Sequence, residues 1–241
     1  LADLDGDGAA ALIAGKRFQN PLREGAQVVN ASTHKTFFGS QRGIIFSNMK
    51  DSDWAKIDKG AFPGSSSNHH LDTLVSLAIT TFEYMVFGEA YAEQVIRNAK
   101  ALAAALETRG FSVEAKEFGY TESHQVAVNV KELGGGDEVS RVLKDNNIIL
   151  NMNLLPFDPL GKVSNPSGIR IGVQEMTRFG MQEREMEMIA DFMKHCLMDG
   201  KFVGDDVKDF RKDYQVVWYS FDDDFISLEN SQQLRSSHIE A

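Results

Sequence analysis

The sequence predicts an α/β protein, and three features carry that expectation. Short runs rich in β-branched residues, "AQVVNAS" and "GIIFSN", are flanked by glycine and have strand length. Other segments, such as "EAYAEQVIRNAKALAAALETRG", repeat apolar residues at helical spacing. The two patterns alternate along the chain, which argues for helices layered on a sheet. A length of 241 residues suffices for one large domain or two modest ones with a real core.

Taken in order, "LADLDGDG" reads as the end of a buried strand entering a glycine-rich turn, and "AAALIAGKRF" as a short helix. "AQVVNAS" and "GIIFSN" are strands. "LDTLVSLAITTFEYMVFG" is apolar almost all round and reads as a buried helix. "EAYAEQVIRNAKALAAALETRG" reads as a second helix, stopped at Arg109 and Gly110. From Phe111 the character changes. "FSVEA" and "HQVAVNV" alternate like half-exposed strands, "GDEVSRVLKDNN" is a helix with Asp137 near its start, and "IILNMNLLPF" and "SGIRIGV" are further strands. "MQEREMEMIADFMKHCLMDG" is a long amphipathic helix with Cys196 as a core filler. The charged segment after it packs one short helix. A boundary near Glu93 divides the chain into 1–93 and 94–241.

Charge and composition exclude several function classes. A net charge of -10 argues against a nucleic-acid backbone as partner and suits the handling of small molecules. One cysteine permits no internal disulfide, so a reducing, cytoplasmic setting is expected. No apolar run approaches the roughly 18 residues that span a bilayer, so no membrane is expected, and no signal peptide is visible. The chain lacks an initiator Met, and the expectation is that it begins inside a longer product. Asp3, Asp5, Asp7 and Gly8 imitate half an EF-hand loop, but its twelfth position is Ala14 where a bidentate Glu is needed, so no metal is expected. A carboxylate at a strand's C-terminal end is nonetheless where α/β folds place ligand contacts.

The chemistry centres on Lys35 in "VVNASTHKTFFG". A buried-looking strand runs into Ser32, Thr33, His34 and Thr36, hydroxyls and an imidazole gathered around one amine. A lysine that attacks a carbonyl needs such a setting to lose its proton and to position an aldehyde. The residues alone leave a solvated surface lysine and a reactive amine as alternatives.

"STHKTFFGSQRGIIFSN" resembles the active-site segment of serine hydroxymethyltransferases, enzymes that use pyridoxal 5'-phosphate (PLP). "LIAGKRFQNPLREGA", "AFPGSSSNHHLDTLVSLA" and "NPSGIRIGVQEMTRFGM" extend the resemblance over most of the chain, in the family's order and spacing, and "SNHH" and "QEMTRFGM" are similar to its archaeal-type branch. The resemblance implies a PLP-dependent transferase of fold type I: the C-terminal part of a large domain, then a small α/β domain. It implies a catalytic set of Lys35 (the Schiff-base lysine), His34 and Asp5, with Asp5 pairing the pyridine nitrogen so that the ring stays an electron sink. Thr33 and His34 would line the cofactor site, Ser67 and Asn68 would reach the phosphate of a neighbouring subunit, and Arg170 would take the amino-acid carboxylate through its planar fork. His69 and His70 read as caps of the following helix. Gly8 stands where the family has a histidine that contacts the cofactor.

The activity so implied is reversible Cα–Cβ cleavage or formation on glycine, serine or another β-hydroxy amino acid, with a tetrahydrofolate-type carrier as the one-carbon partner. A threonine aldolase or transaldolase of the same family is the alternative, and a non-catalytic partner subunit that completes a related enzyme is a third reading. The family's N-terminal part, with its ring-stacking residue and most phosphate donors, has no counterpart here. The expected partners are therefore an amino acid and either that N-terminal half or a second subunit, in a homodimer or higher assembly.

Overall fold

A computed structural model describes residues 2–3, 10–68, 70–159 and 161–221. Two small sheets are joined through one long helix. The first sheet has the order β1 (Ala2–Asp3), β2 (Val28–Ser32), β3 (Gly43–Ser47), with β1 parallel and β3 antiparallel to β2. The second has the order β4 (Ser112–Val113), β5 (Gln125–Asn129), β7 (Gly168–Gly172), β6 (Asn151–Asn153), antiparallel throughout. Helices α1 (Ala10–Ala14), α2 (Asp51–Lys59), α3 (Leu71–Thr108), α4 (Gly136–Asp145), α5 (Gln174–Arg178), α6 (Glu183–Leu197) and α7 (Gly204–Arg211) complete the α/β arrangement.

The two helices expected between Leu71 and Gly110 are one continuous helix of 38 residues. Gly88, where the first apolar run ends, is buried inside it and does not stop it, because strong helix formers follow. Nor is the first half buried all round. Thr80, Glu83, Tyr84, Gly88 and Tyr91 form one buried stripe at helical spacing. Off that stripe Leu71, Val75, Phe82 and Met85 are 59–65% exposed. The division near Glu93 falls inside this shared helix, at a surface residue whose carboxylate bridges Arg17 and Arg97.

The second half of α3 crosses the core. Val95, Leu102 and Leu106 are buried with Met186, Ala190 and Met193 of α6 and with Val126, Val128 and Ile169 of the second sheet. Each such Val, Leu or Met stabilises the fold by about 1.5–3 kcal/mol. A buried amide adds specificity. Asn98 donates to Thr177 Oγ1 and to the Met181 carbonyl, both at 2.8 Å, and accepts from Gln94. That clamp fixes α5 and the start of α6 on α3. At the far end Arg109 grips Asp191 of α6 with two bonds of 2.7 and 2.8 Å. Helix α6 itself opens on a capping box between Gln182 and Glu185.

Helix α2 has no buried residue, and it leads through an irregular turn (Gly60–Ser65) into α3. His70 stands at the N-cap of α3 but makes no capping bond through its side chain. Its carbonyl instead accepts from Thr73 and Arg42, so the expected imidazole cap is replaced by a backbone anchor. His69 lies outside the described residues.

Candidate active site

The turn after β2 carries Lys35 and is closed by the Gly39 amide, which donates to the Thr33 carbonyl at 2.8 Å. A side chain at position 39 would put its Cβ 2.8 Å from that same oxygen, so glycine is required by close approach. Thr33 is buried, and its hydroxyl donates to the carbonyls of Ser40 and Arg42 at 2.7 and 3.0 Å. Thr36 accepts the Ala11 amide through Oγ1 and the Tyr84 hydroxyl through its carbonyl, the latter at 2.8 Å.

The aromatic pair that follows the lysine is the anchor of the turn. Phe37 stacks on Tyr84 at 4.3 Å, and Phe38 packs at 4.6 Å from Tyr84 and edge-on at 5.1 Å from Tyr91. The Arg178 guanidinium lies 3.5 Å from the Phe38 centroid. Burial pushes the Tyr84 and Tyr91 hydroxyls well above the ordinary tyrosine range. Both are therefore neutral donors near neutral pH, Tyr91 to the Gln174 carbonyl at 3.1 Å. Through these hydroxyls they hold the backbone of Thr36 and Gln174 in place.

Lys35 is half-buried and His34 exposed. Both line a cavity of about 620 Å³ together with Phe38 and Tyr91, with His124 and Gln125 at the start of β5, and with Arg170, Gln174 and Arg178 on the β7–α5 unit. Sequence-distant candidates thus meet: the lysine of the first sheet and the arginine of the second face one space. Arg170 sits at the middle of β7, paired across to Ala127 and Asn151. Its strand is fastened by Asp158, whose carboxylate accepts the amides of Leu155 and Ser167 and the Ser167 hydroxyl at 2.6–3.0 Å. Burial works to raise the Asp158 pKa. Bonds from Ser167 and Leu155, with Lys162 nearby, prevail and hold it down to about 2.

The remaining sequence-predicted residues are placed elsewhere. Thr33 lines a different cavity, of about 380 Å³, walled almost wholly by apolar groups of α1, the first sheet and α3. Ser32 Oγ is buried there with no hydrogen-bond partner among the described residues. Ser67 and Asn68 are exposed and line neither cavity. Asp5 and Gly8 lie outside the described residues.

Sequence reasoning missed His124, Tyr91, Gln174 and Arg178. Two of these had a signal. Tyr91 follows Tyr84 by two helical turns, and Arg178 comes eight residues after Arg170, across a short helix that turns the chain back to the same cavity. Burial pulls the Arg178 pKa below the ordinary arginine value against the opposing pull of Glu83, which it meets at 3.2 Å.

Comparison with known proteins bears on this site. The family model for serine hydroxymethyltransferase matches residues 2–193. Serine hydroxymethyltransferases of Archaeoglobus fulgidus and Pyrococcus abyssi are 53% and 54% identical, each over 88% of this chain. That of Methanocaldococcus jannaschii is 50% identical over 91%. The matches cover 49%, 51% and 52% of those proteins, so the chain spans about half the length of the curated relatives it matches. Among solved structures, L-threonine transaldolase from Pseudomonas fluorescens in its internal aldimine state superposes with a TM-score of 0.81 at 29% identity, over 97% of this chain and 53% of that one.

Proposed function

Because the chain belongs to the serine hydroxymethyltransferase family, we propose that it is the lysine-bearing part of a PLP-dependent enzyme that reversibly cleaves or forms the Cα–Cβ bond of serine or another β-hydroxy amino acid. One observation carries the reading: Lys35 and Arg170, from different sheets, line a single cavity. Its volume of about 620 Å³ lies within the range of cofactor and substrate pockets.

The residues present fit two ends of that chemistry. Lys35 is an amine on a fastened turn, which would hold the cofactor at its aldehyde carbon. Arg170 offers a planar fork for the substrate carboxylate. PLP, when bound, supplies the electron sink for the pair released at Cα. Phe38 and Tyr91 line the Lys35 side of the cavity with aromatic groups. His34, exposed where it lines the cavity, would stack on or hydrogen-bond the cofactor. Asp5 is assigned to the pyridine nitrogen from the family resemblance alone.

A phosphate needs several converging donors, and two of the cavity's have other partners: Arg170 takes the substrate carboxylate in this reading, and Arg178 meets Glu83 and Trp218. We assign that role to a further polypeptide: the remaining half of the enzyme, and the exposed Ser67 and Asn68 of a second copy. The half-length match, the apolar cavity beneath α1 and the exposed apolar residues of α3 support this. Against the expectation that no apolar run is long enough, α3 is by length and composition apolar enough to cross a bilayer. Glu83 within that stretch, paired to Arg178, favours a protein interface, because an ionised pair is costly in lipid. The buried thiol of Cys196 suits a reducing cytoplasm.

Borohydride reduction of the complete assembly with PLP, followed by peptide mapping, should place the cofactor on Lys35. An adduct on Lys16 or Lys50 instead overturns the reading. The superposition on a threonine transaldolase favours a second reading, in which a different aldehyde is captured in place of one carried by tetrahydrofolate. Serine-dependent formation of methylenetetrahydrofolate separates the two.

A further inference from the structure

Resting on that reading, we propose that Arg178 is a positioning residue for Lys35. Its guanidinium holds the Phe38 ring, and the C-terminal segment from Gln215 to Phe221 holds the guanidinium.

Phe38 is three residues from Lys35 in a turn closed between Thr33 and Gly39, so a displaced ring displaces the lysine. At 3.5 Å from the ring centroid the guanidinium makes a cation–π contact in a partly dry setting. Although Arg178 faces the same cavity as Arg170, each of its terminal nitrogens already has a partner. Nη2 meets Glu83 Oε2 at 3.2 Å, and Nη1 donates to the Trp218 carbonyl. With one N–H on each arm so engaged, the guanidinium is held with its planar face on the Phe38 ring.

Residues 218–221 complete the clamp. The Trp218 amide donates back to the Arg178 carbonyl at 2.7 Å, and the Ser220 hydroxyl donates to Glu83 Oε1. Tyr219 packs edge-on to Tyr91 at 5.3 Å, and Phe221 lies 5.7 Å from Phe87. Gly180, at φ 84°, leaves room for the Trp218 indole, whose Nε1 would lie 2.6 Å from a Cβ there. Residues 215–221 lie beyond the 2–193 range of the family model. The strap thus reaches back to a residue inside the segment that the family model matches.

The test is a double-mutant cycle in the complete assembly, with Arg178→Lys, Phe38→Leu and both together. The readouts are the PLP dissociation constant from absorbance, the rate of borohydride trapping on Lys35, and kcat and KM for the amino acid. Lysine keeps the charge and loses the flat face, so each single change should weaken PLP capture about tenfold, the size of a partly dry cation–π contact. The double variant should be no worse than either single one, and kcat should fall while KM for the amino acid holds. Ser220→Ala, which leaves the guanidinium intact, should give a smaller shift in the same direction. Unchanged capture with only a lower melting temperature, or strictly additive effects, overturns the proposal and leaves Arg178 as a packing group. Wild-type protein that traps no PLP on Lys35 overturns the functional reading itself, which distinguishes the two failures.

Discussion

Replacing Glu83 by Gln tests whether the ion pair behind the lysine turn is a buried clamp or a solvated ornament. The Glu83 and Arg178 side chains are 8% and 13% exposed. Two charges 3.2 Å apart attract by ~5 kcal/mol at an effective dielectric of about 20. Much of that is offset by the cost of taking both out of water, so the pair's net worth is small. Removing one partner is another matter. Burial already pulls the Arg178 pKa down, and Glu83 is its principal counterweight. A neutral amide keeps the shape and an acceptor for Ser220 or Arg178 but leaves the cation unbalanced. Outright loss of a buried partner costs about 3–5 kcal/mol, and the retained hydrogen bond should reduce this to roughly 2–4 kcal/mol. Urea denaturation at constant m-value is the assay. The paired replacement Glu83→Leu with Arg178→Met should recover stability to within about 1 kcal/mol of wild type, since an apolar pair has no charge to solvate. It should not recover PLP capture. A loss below about 0.5 kcal/mol for Glu83→Gln would match an exposed pair and refute the clamp.

Arg170→Lys should weaken amino-acid binding by about 2–4 kcal/mol through loss of the bidentate fork, with PLP binding little changed; glycine titration of the cofactor spectrum measures both. Asp158 has a folded-state pKa of about 2, below the unfolded carboxyl value near 4. Its contribution is thus complete above about pH 4 and is lost as pH falls through about 2, and Asp158→Asn should flatten that limb of the stability–pH curve. Asn98→Ala leaves the buried Met181 carbonyl without its amide donor and opens a hole, for a cost of about 2–4 kcal/mol in chemical denaturation. Residues 1–241 expressed alone should self-associate and bind PLP poorly. A tight-binding monomer, seen by sedimentation and absorbance, would show that this chain builds the phosphate site unaided.

Local pattern made most of this fold legible. The strands at Val28–Ser32, Gly43–Ser47, Gln125–Asn129 and Gly168–Gly172 and the helix at Glu183–Leu197 fall where apolar periodicity and glycine punctuation put them. The helix Leu71–Thr108 was legible as helix and misread as two, because composition reports that a segment is apolar and not what covers it. Lys35 and Arg170 stood out as residue types in telling surroundings, but their meeting in one cavity depends on how the two sheets are held, which no single window encodes. For Thr33 the family resemblance implies a cofactor contact, and the structure adds that its hydroxyl donates to the Ser40 and Arg42 carbonyls. Glu83 and Ser220 were out of reach, since a cluster drawn from three distant segments leaves no local trace, and Arg178 had only its spacing from Arg170 to mark it.

That cluster also explains why a lysine turn needs so much support. In the proposed reading Lys35 holds an aldehyde in register with the Arg170 fork, and that works only if both ends are fixed to better than an ångström. Arg170 is fixed by two flanking strands and by Asp158 at the entry to its own strand. Lys35 has only one strand before it and a turn after it. The missing rigidity comes from the opposite side: Tyr84 and Tyr91 on α3, and Arg178 at the end of α5. Since Asn98 ties α5 to the same helix, α3 supports both ends of the cavity. A rotation of α3 by part of a turn would carry Tyr84 and Tyr91 away from the lysine turn and shift the arginine strand with them. Its exposed apolar face therefore matters to the chemistry: whatever packs against Leu71, Val75, Phe82 and Met85 sets the roll of the helix from which both halves of the site take their position.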